Sequence, residues 1–320
     1  MRKRILSMAD IAACPDVLEP LDSIADVIDL PANQEMLVER IHEFDAFLTS
    51  LTVQANRAVL QAATKLQVIA TASTGCDHID VAEAERRGIT VLSLKDDTEF
   101  LRSITSTAEL TWALLLAVVR KLPAALAAAR QGRWGRDEFR GTQLSGKTLG
   151  IVGYGRLGTM VAEYGRAFGM KTLVCDVKPM QTPAGVEQVT FENLLERSDV
   201  VSIHVHLSDA TRHLLDAKAF ASMKSGAILV NTSRGGVIDE AALLNALESG
   251  HLAGAGLDVI DGEWRTDLVD HPLIQYANHH ENLLISPHIG GVTYESQFLA
   301  YGKIVQRLIE VFGTFANLER

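Results

Sequence analysis

Thr148-Leu149-Gly150-Ile151-Val152-Gly153-Tyr154-Gly155-Arg156-Leu157-Gly158 is the stretch on which the reading of this chain turns. Thr148–Val152 is a buried-strand run, Gly153–Gly158 spells GxGxxG, and a helix-compatible segment continues to Phe168. In that setting Gly153 permits a tight turn, Gly155 lets a pyrophosphate approach the backbone, and Gly158 lets the helix pack closely on the strand. The helix N-terminus adds unpaired N–H groups and partial positive charge for phosphates. GxGxxG alone is a weak signal, but the next strand, Lys171–Cys175, ends at Asp176. That is close to the spacing of about 20 residues expected for a ribose-binding acid. A carboxylate there accepts hydrogen bonds from a ribose 2′-OH and repels a 2′-phosphate, which favours NAD over NADP; Lys178 reads as a solvated lysine.

Outward from this motif, apolar β-branched runs alternate with helical spacing, the pattern of a parallel sheet covered by helices. Expected strands are Arg4–Met8, Ile24–Leu30, Ala46–Thr49, Leu66–Ala72 and Thr90–Leu94, then Thr148–Val152, Thr172–Cys175, Val200–His204, Ala227–Asn231, Ala255–Val259 and Leu283–Ser286. The class is α/β, with two doubly wound domains. Between the series, Thr107–Gly132 is rich in Ala and Leu, too continuously apolar for a helix with one wet face. Pro123 suits a first helical turn and breaks an interior, so two helices are expected to meet there.

A chain of 320 residues exceeds what one core usually supports. Hydrophobic residues at 47% and charged residues at 22% describe a folded, water-soluble protein. The net charge of -10 repels a phosphate backbone, so nucleic acid is not expected as a partner. The longest apolar run, Trp112–Val119, is well short of the roughly 20 residues that span a bilayer, and Ile5–Met8 is too short for a signal-peptide core. A cytoplasmic location without membrane contact is the default expectation. Cys14, Cys76 and Cys175 lack disulfide or metal-ligand spacing and read as small buried hydrophobes.

Beyond the fingerprint stand Asn231-Thr232-Ser233-Arg234-Gly235-Gly236, then Asp258 through Glu263, then Ser286-Pro287-His288-Ile289-Gly290-Gly291, each at or just past an expected strand end. Open α/β sheets bind ligands there. With these motifs, the sequence from about Leu66 to Thr293 resembles the D-isomer-specific 2-hydroxyacid dehydrogenases, the family of phosphoglycerate dehydrogenase, glyoxylate and hydroxypyruvate reductases and D-lactate dehydrogenase. The resemblance implies a catalytic set falling on Arg234, Glu263 and His288. Reduction of a 2-oxo acid leaves negative charge on the carbonyl oxygen, and a histidine can protonate it. Glu263 would pair with His288 and favour the protonated imidazole. Arg234 offers a planar fork for the substrate carboxylate and carbonyl.

The resemblance also implies a carboxylate-binding turn at Ser73, Thr74 and Gly75, whose N–H groups form an anion nest. It places Thr107 near a nicotinamide, Asp258 at its amide, and His204, Val205, His206 and Thr211 in a loop over the adenosine side. Tyr154, Arg156, Leu157, Thr232, Ser233, His288 and Gly290 complete the implied NAD-binding set. It implies a Rossmann dinucleotide-binding domain, residues 102–289, inserted into a flavodoxin-like substrate domain made from 1–101 and 290–320. The active site would lie in the cleft, closed by domain motion, with a homodimer formed through Thr107–Trp134 and no serine-binding module after residue 320. Two departures stand out: Trp264 follows Glu263 and His206 stands at a second position, both where the family commonly has proline. His271, His279 and His280 fit no metal pattern and read as loop histidines. Lys95, Arg102 and Arg265 read as surface residues, and Gly132–Gly135 as a connector. Two rival readings keep the fold: a formate- or phosphite-type dehydrogenase, and an NADH-sensing corepressor without turnover.

Overall fold

The computed structural model describes residues 2–265 and 267–318, with side chains to residue 313. It divides into two compact units, Met1–Ile104 with Val292–Arg320, and Thr105–Gly291. The cuts fall a few residues later than those after 101 and 289 expected from the sequence.

In the first unit, strands β1 (Lys3–Ser7), β2 (Ala25–Asp29), β3 (Ala46–Thr49), β4 (Val68–Thr71) and β5 (Thr90–Leu92) form a parallel sheet in the order β2-β1-β3-β4-β5. This is the doubly wound 2-1-3-4-5 order. Period-two alternation sends Ile5, Leu48 and Val68 to one face, where they meet Ile304, Val305 and Leu308 of the helix Tyr294–Leu318. Leu6, Phe47 and Ile69 face the other way, onto Leu37, Ile41 and Leu60. Burial on both faces is why the central strands β3 and β4 are buried at every residue.

The second unit carries β6 (Thr148–Val152), β7 (Lys171–Cys175), β8 (Val186–Gln188), β9 (Val200–Ile203), β10 (Ala227–Asn231), β11 (Leu252–Leu257) and β12 (Leu283–Ile285). They lie parallel in the order β12-β11-β10-β9-β6-β7-β8. The order reverses between β6 and β9, so the carboxyl ends of those strands open the crevice in which this fold binds ligands. Six strands were expected here and seven are present. β8 escaped notice because Val186-Glu187-Gln188 is a three-residue edge strand with a single buried residue.

The Ala/Leu-rich segment forms two helices, Ser106–Val119 and Leu122–Arg130, broken at Lys121 in left-handed backbone (φ 48°) with Pro123 in the next first turn. The first helix is held close to β11 by two glycines: a Cβ at Gly256 would stand 3.0 Å from Leu114 Cβ, and one at Gly254 2.8 Å from Val118 Cγ1. Its other side receives the helix Arg156–Ala167, where Trp112 Nε1 donates to Val161 O (3.2 Å) and Trp112 stacks on Phe168. The second helix is different: Leu122 and Leu126 are about half exposed, and beyond it Trp134 is 82% exposed. No single helix among the described residues is long and apolar enough to cross a membrane; the pair that passes only when joined is bent by 65°. The three cysteines are free and half-buried, not fully interior as expected. No cluster of His, Cys, Asp and Glu able to hold a metal ion occurs among the described residues.

Candidate active site

The glycine turn is built as its sequence requires. Gly153 has φ +91°, and a Cβ there would stand 2.6 Å from the His204 carbonyl oxygen; a Cβ at Gly158 would stand 2.1 Å from Gly153 O. At Gly155, which caps the helix Arg156–Ala167, an added Cβ meets nothing within 4 Å, so backbone there is open to a ligand. Tyr154 and Leu157 turn their side chains onto the core beneath, so what they offer is backbone. Asp176, at the end of β7, accepts from Tyr154 N (2.9 Å) with one carboxylate oxygen and from Lys178 N (3.1 Å) with the other. The acid is thereby fixed against the turn. Burial lowers the proton affinity of the Arg156 guanidinium, a cation short of water beside the helix N-terminus. An open glycine, a helix N-terminus, a desolvated cation and a fixed carboxylate together fit a dinucleotide.

The wall over this turn comes from the end of β9. His204 N–H donates to Val152 O (2.7 Å), and Val205 Cγ1 would stand 2.8 Å from a Cβ on Gly153. The His204 ring is interior: Nε2 meets Ser202 Oγ at 2.8 Å, Nδ1 is sealed from solvent, and burial pushes the imidazole down to about 3. His206 is exposed, and Thr211 spends its hydroxyl on its own loop, donating to His206 O (2.6 Å) and accepting from Ser208 N (2.8 Å).

The corner that gathers Arg234, Glu263 and His288 is assembled by three loops at the ends of β10, β11 and β12. Asn231, the last residue of β10, is fully buried; its Oδ1 accepts from Ser233 N and Ser233 Oγ, and its Nδ2 donates to Arg234 O. Arg234 Nη1 lies on Ser233 O at 2.8 Å. Thr232 is held from behind by Thr111, the two hydroxyls 2.7 Å apart. Asp258, just past β11, is 1% exposed and ties down the third loop. Its Oδ1 accepts from Ser286 Oγ (2.6 Å) and Ile289 N (2.9 Å), and its Oδ2 from Gly290 N (2.8 Å). Burial pushes the Asp258 carboxyl up, while those donors and the His288 charge pull it back. A Cβ on Gly290 would stand 3.0 Å from Thr107 Cγ2, so Thr107, Asp258 and Gly290 meet at one point.

His288 sits on that loop in left-handed backbone (φ 53°), an unusual conformation for a side chain to occupy. Its N–H donates to Asp258 O (2.9 Å), and its Nδ1 lies 2.5 Å from Glu263 Oε1. Both side chains are 24% exposed. Glu263 therefore engages Nδ1 and leaves Nε2 as the ring atom that faces outward. The Arg234 loop touches the Glu263 loop through Gly235, whose Cβ would lie 2.1 Å from Ile260 C and 2.2 Å from Asp261 N. Of the residues read from the sequence, this corner brings together Thr107, Thr232, Ser233, Arg234, Asp258, Glu263, His288 and Gly290. Ser73, Thr74 and Gly75 lie in the first unit, in the turn after β4, where Gly75 N–H donates to Ser73 Oγ (3.1 Å).

Organisers that the sequence reading passed over are Asn231, Ser286 and Thr111. Each carried one legible signal: a polar residue at the end of, or inside, an otherwise apolar run. His271 and His280 lie outside helices as expected, whereas His279, read as a loop histidine, is helical; His271 is more than a loop residue. It is 8% exposed, caps the helix Pro272–His279 by accepting from Leu273 N (3.3 Å), and meets Glu240 Oε2 at 3.2 Å. His279 closes that helix, and His280 stacks on Tyr276 with ring centroids 4.0 Å apart. Trp264, beside Glu263, is 53% exposed.

Residues 112–290 match the family model described as D-isomer specific 2-hydroxyacid dehydrogenase, NAD binding domain. Hydroxypyruvate reductase of Thermotoga maritima is 36% identical over 280 residues, 88% of this chain and 89% of that protein. D-3-phosphoglycerate dehydrogenase of Bacillus subtilis is 35% identical over 300 residues, 92% of this chain but 54% of that protein, so the chain spans about half its length. The crystal structure of Aquifex aeolicus D-lactate dehydrogenase, complexed with NAD and lactic acid, superposes with a TM-score of 0.84 at 28% identity, covering 99% of this chain and 96% of that one.

Proposed function

The chain belongs to the D-isomer-specific 2-hydroxyacid dehydrogenases, and from that premise we propose that it is an NAD-dependent oxidoreductase. It interconverts a small D-2-hydroxy acid and its 2-oxo acid, of the phosphoglycerate, hydroxypyruvate or glyoxylate class. One observation carries the reading: His288 Nδ1 is 2.5 Å from Glu263, on loops locked to the Arg234 loop through Gly235. The unit Thr105–Gly291 serves the cofactor and the unit Met1–Ile104 with Val292–Arg320 serves the substrate.

When bound, NADH supplies the hydride that the 2-oxo carbon accepts. The open backbone at Gly155 and the helix N-terminus behind it hold the pyrophosphate, Asp176 the ribose hydroxyls, and Thr107, Asp258 and Gly290 the nicotinamide end. His204, Val205, His206 and Thr211 line the adenosine side. Arg234 takes the substrate carboxylate and polarises the carbonyl. His288 gives the proton on Nε2 to the carbonyl oxygen as negative charge develops there; Glu263, on Nδ1, fixes the tautomer and offsets the imidazolium charge.

We further propose a homodimer through the helix Leu122–Arg130 and Trp134, whose exposed Leu122, Leu126 and Trp134 suit a second copy, and a cytoplasmic site of action. Light scattering on the purified protein tests the first. The activity is tested by following NADH and NADPH absorbance against a panel of 2-oxo acids, with His288→Ala as control. Turnover that prefers NADH and is lost in the variant is expected. A folded protein that binds NADH yet reduces none of the panel rules the reading out for those acids.

A further inference from the structure

A second carboxylate–imidazole pair lies in the same unit, and one of its contacts leads to the loop that carries Glu263. Glu240 is the first residue of the helix Glu240–Glu248, capped by Asp239. Its Oε2 meets His271 Nε2 at 3.2 Å, and its Oε1 accepts the backbone N–H of Asp261 at 2.7 Å. His271 has no freedom in the matter. A backbone N–H can only donate, so the bond from Leu273 N makes Nδ1 an acceptor and leaves the neutral ring's proton on Nε2, the atom 3.2 Å from Glu240 Oε2. The far side of the same Ile260–Asp261 peptide is the surface against which Gly235 is pressed. One peptide is thus gripped at its N–H by Glu240 and on its face by the Arg234 loop, two residues before Glu263.

We propose that Glu240, oriented by His271, is a positioning residue for catalysis: it fixes the Asp261 peptide and thereby the reach of Glu263 to His288 Nδ1. The two pairs act in series. His271 is held at a helix N-terminus on a core residue, Leu273, which is 0% exposed, so the reference point is the rigid second unit and not the loop itself. Burial pushes the Glu240 carboxyl up and Asp261 adds to this, while the Asp261 N–H, His271 and His213 oppose it; these are the groups that face it. A misplacement of about 1 Å costs on the order of a hundredfold in rate, which sets the scale for losing this grip.

The inference rests on Glu263 and His288 being the acid pair of the proposed function, and the experiment separates the two. Steady-state rates are measured for the wild type, E240A, E240Q, H271N, E263A and E240A/E263A, with NADH binding followed by fluorescence. E240A is expected to lower kcat roughly ten- to hundredfold with NADH affinity within about twofold. E240Q keeps an acceptor for Asp261 N–H and restores most of the rate. The double variant is expected to be no slower than E263A, because Glu240 acts only through Glu263. H271N retains a helix cap but loses the contact with Glu240, and should fall between; it carries the comparison if E240A does not fold. Amide hydrogen exchange of residues 259–263 should rise in E240A and not in E240Q. Losses that multiply in the double variant, a parallel loss of NADH binding, or unchanged kcat in E240A beside a crippled E263A would overturn the inference alone. An E263A enzyme as fast as wild type would instead overturn the functional reading beneath it.

Discussion

Among the described residues, two glutamate–histidine contacts lie within the unit Thr105–Gly291, and they are built differently. In the Glu263–His288 pair both side chains are 24% exposed, the histidine sits in left-handed backbone, and one ring nitrogen is left to face outward. In the Glu240–His271 pair the side chains are 20% and 7% exposed, the histidine has ordinary extended backbone at a helix cap, and both ring nitrogens are spent. The contact itself is therefore no mark of chemistry. Backbone strain, partial exposure and an uncommitted nitrogen set His288 apart from His271.

The largest expected effect breaks that contrast at its working end. His288→Ala should lower kcat by about 10² to 10⁴, the usual range for a lost general acid, with little change in Tm because the side chain bears no core packing. A melting temperature that drops as steeply as the rate would mean the pair is structural after all. Next comes Gly235→Ala, which strikes both pairs at once, since the new Cβ falls 2.1 Å from Ile260 C and on backbone that cannot swing away. Overpacking of this kind costs roughly 1–3 kcal/mol, and chemical denaturation together with kcat should both register it. His271→Ala should cost about 2 kcal/mol of stability, from a lost cap and a buried carboxylate left unpaired, with a smaller fall in rate than His288→Ala. Urea melts compared with turnover would expose any reversal of that order.

Legibility from sequence followed the same divide. The fingerprint, the acid at Asp176 and the strand series could be read because each is a local pattern with one physical meaning: a tight turn, a strand end, burial on both faces. Arg234, Glu263 and His288 were readable only as a set lying at strand ends, since each alone has an ordinary structural role. What stayed hidden depends on contacts between segments far apart in the chain. Nothing near His271 in the sequence announces Glu240, and Gly235 reads as one of a pair of flexible glycines until the 260–261 peptide is seen against it. β8 was lost for another reason, an edge strand needing too few apolar residues to show a period.

His204 supplies the control that neither pair offers, a histidine buried with no carboxylate at all. Among the described residues its ring bonds Ser202 Oγ alone, and burial holds it down to about 3, against about 6.5 for a histidine in an unfolded chain. Between those values the unfolded state binds the extra proton and the folded state refuses it, so stability is complete above about pH 6.5 and drains away as the pH falls toward 3. The raised carboxyls of Glu240 and Asp258 lean the other way, giving stability that is lost as pH rises through their folded values, and their effect cancels when variants are compared at each pH. His204→Asn should therefore flatten the acid side of the stability curve, recovering about 1–2 kcal/mol relative to wild type between pH 7 and pH 5. Parallel slopes for the two proteins would show that His204 takes up its proton in the folded state, and that a carboxylate partner is not what decides whether a buried histidine here can be charged.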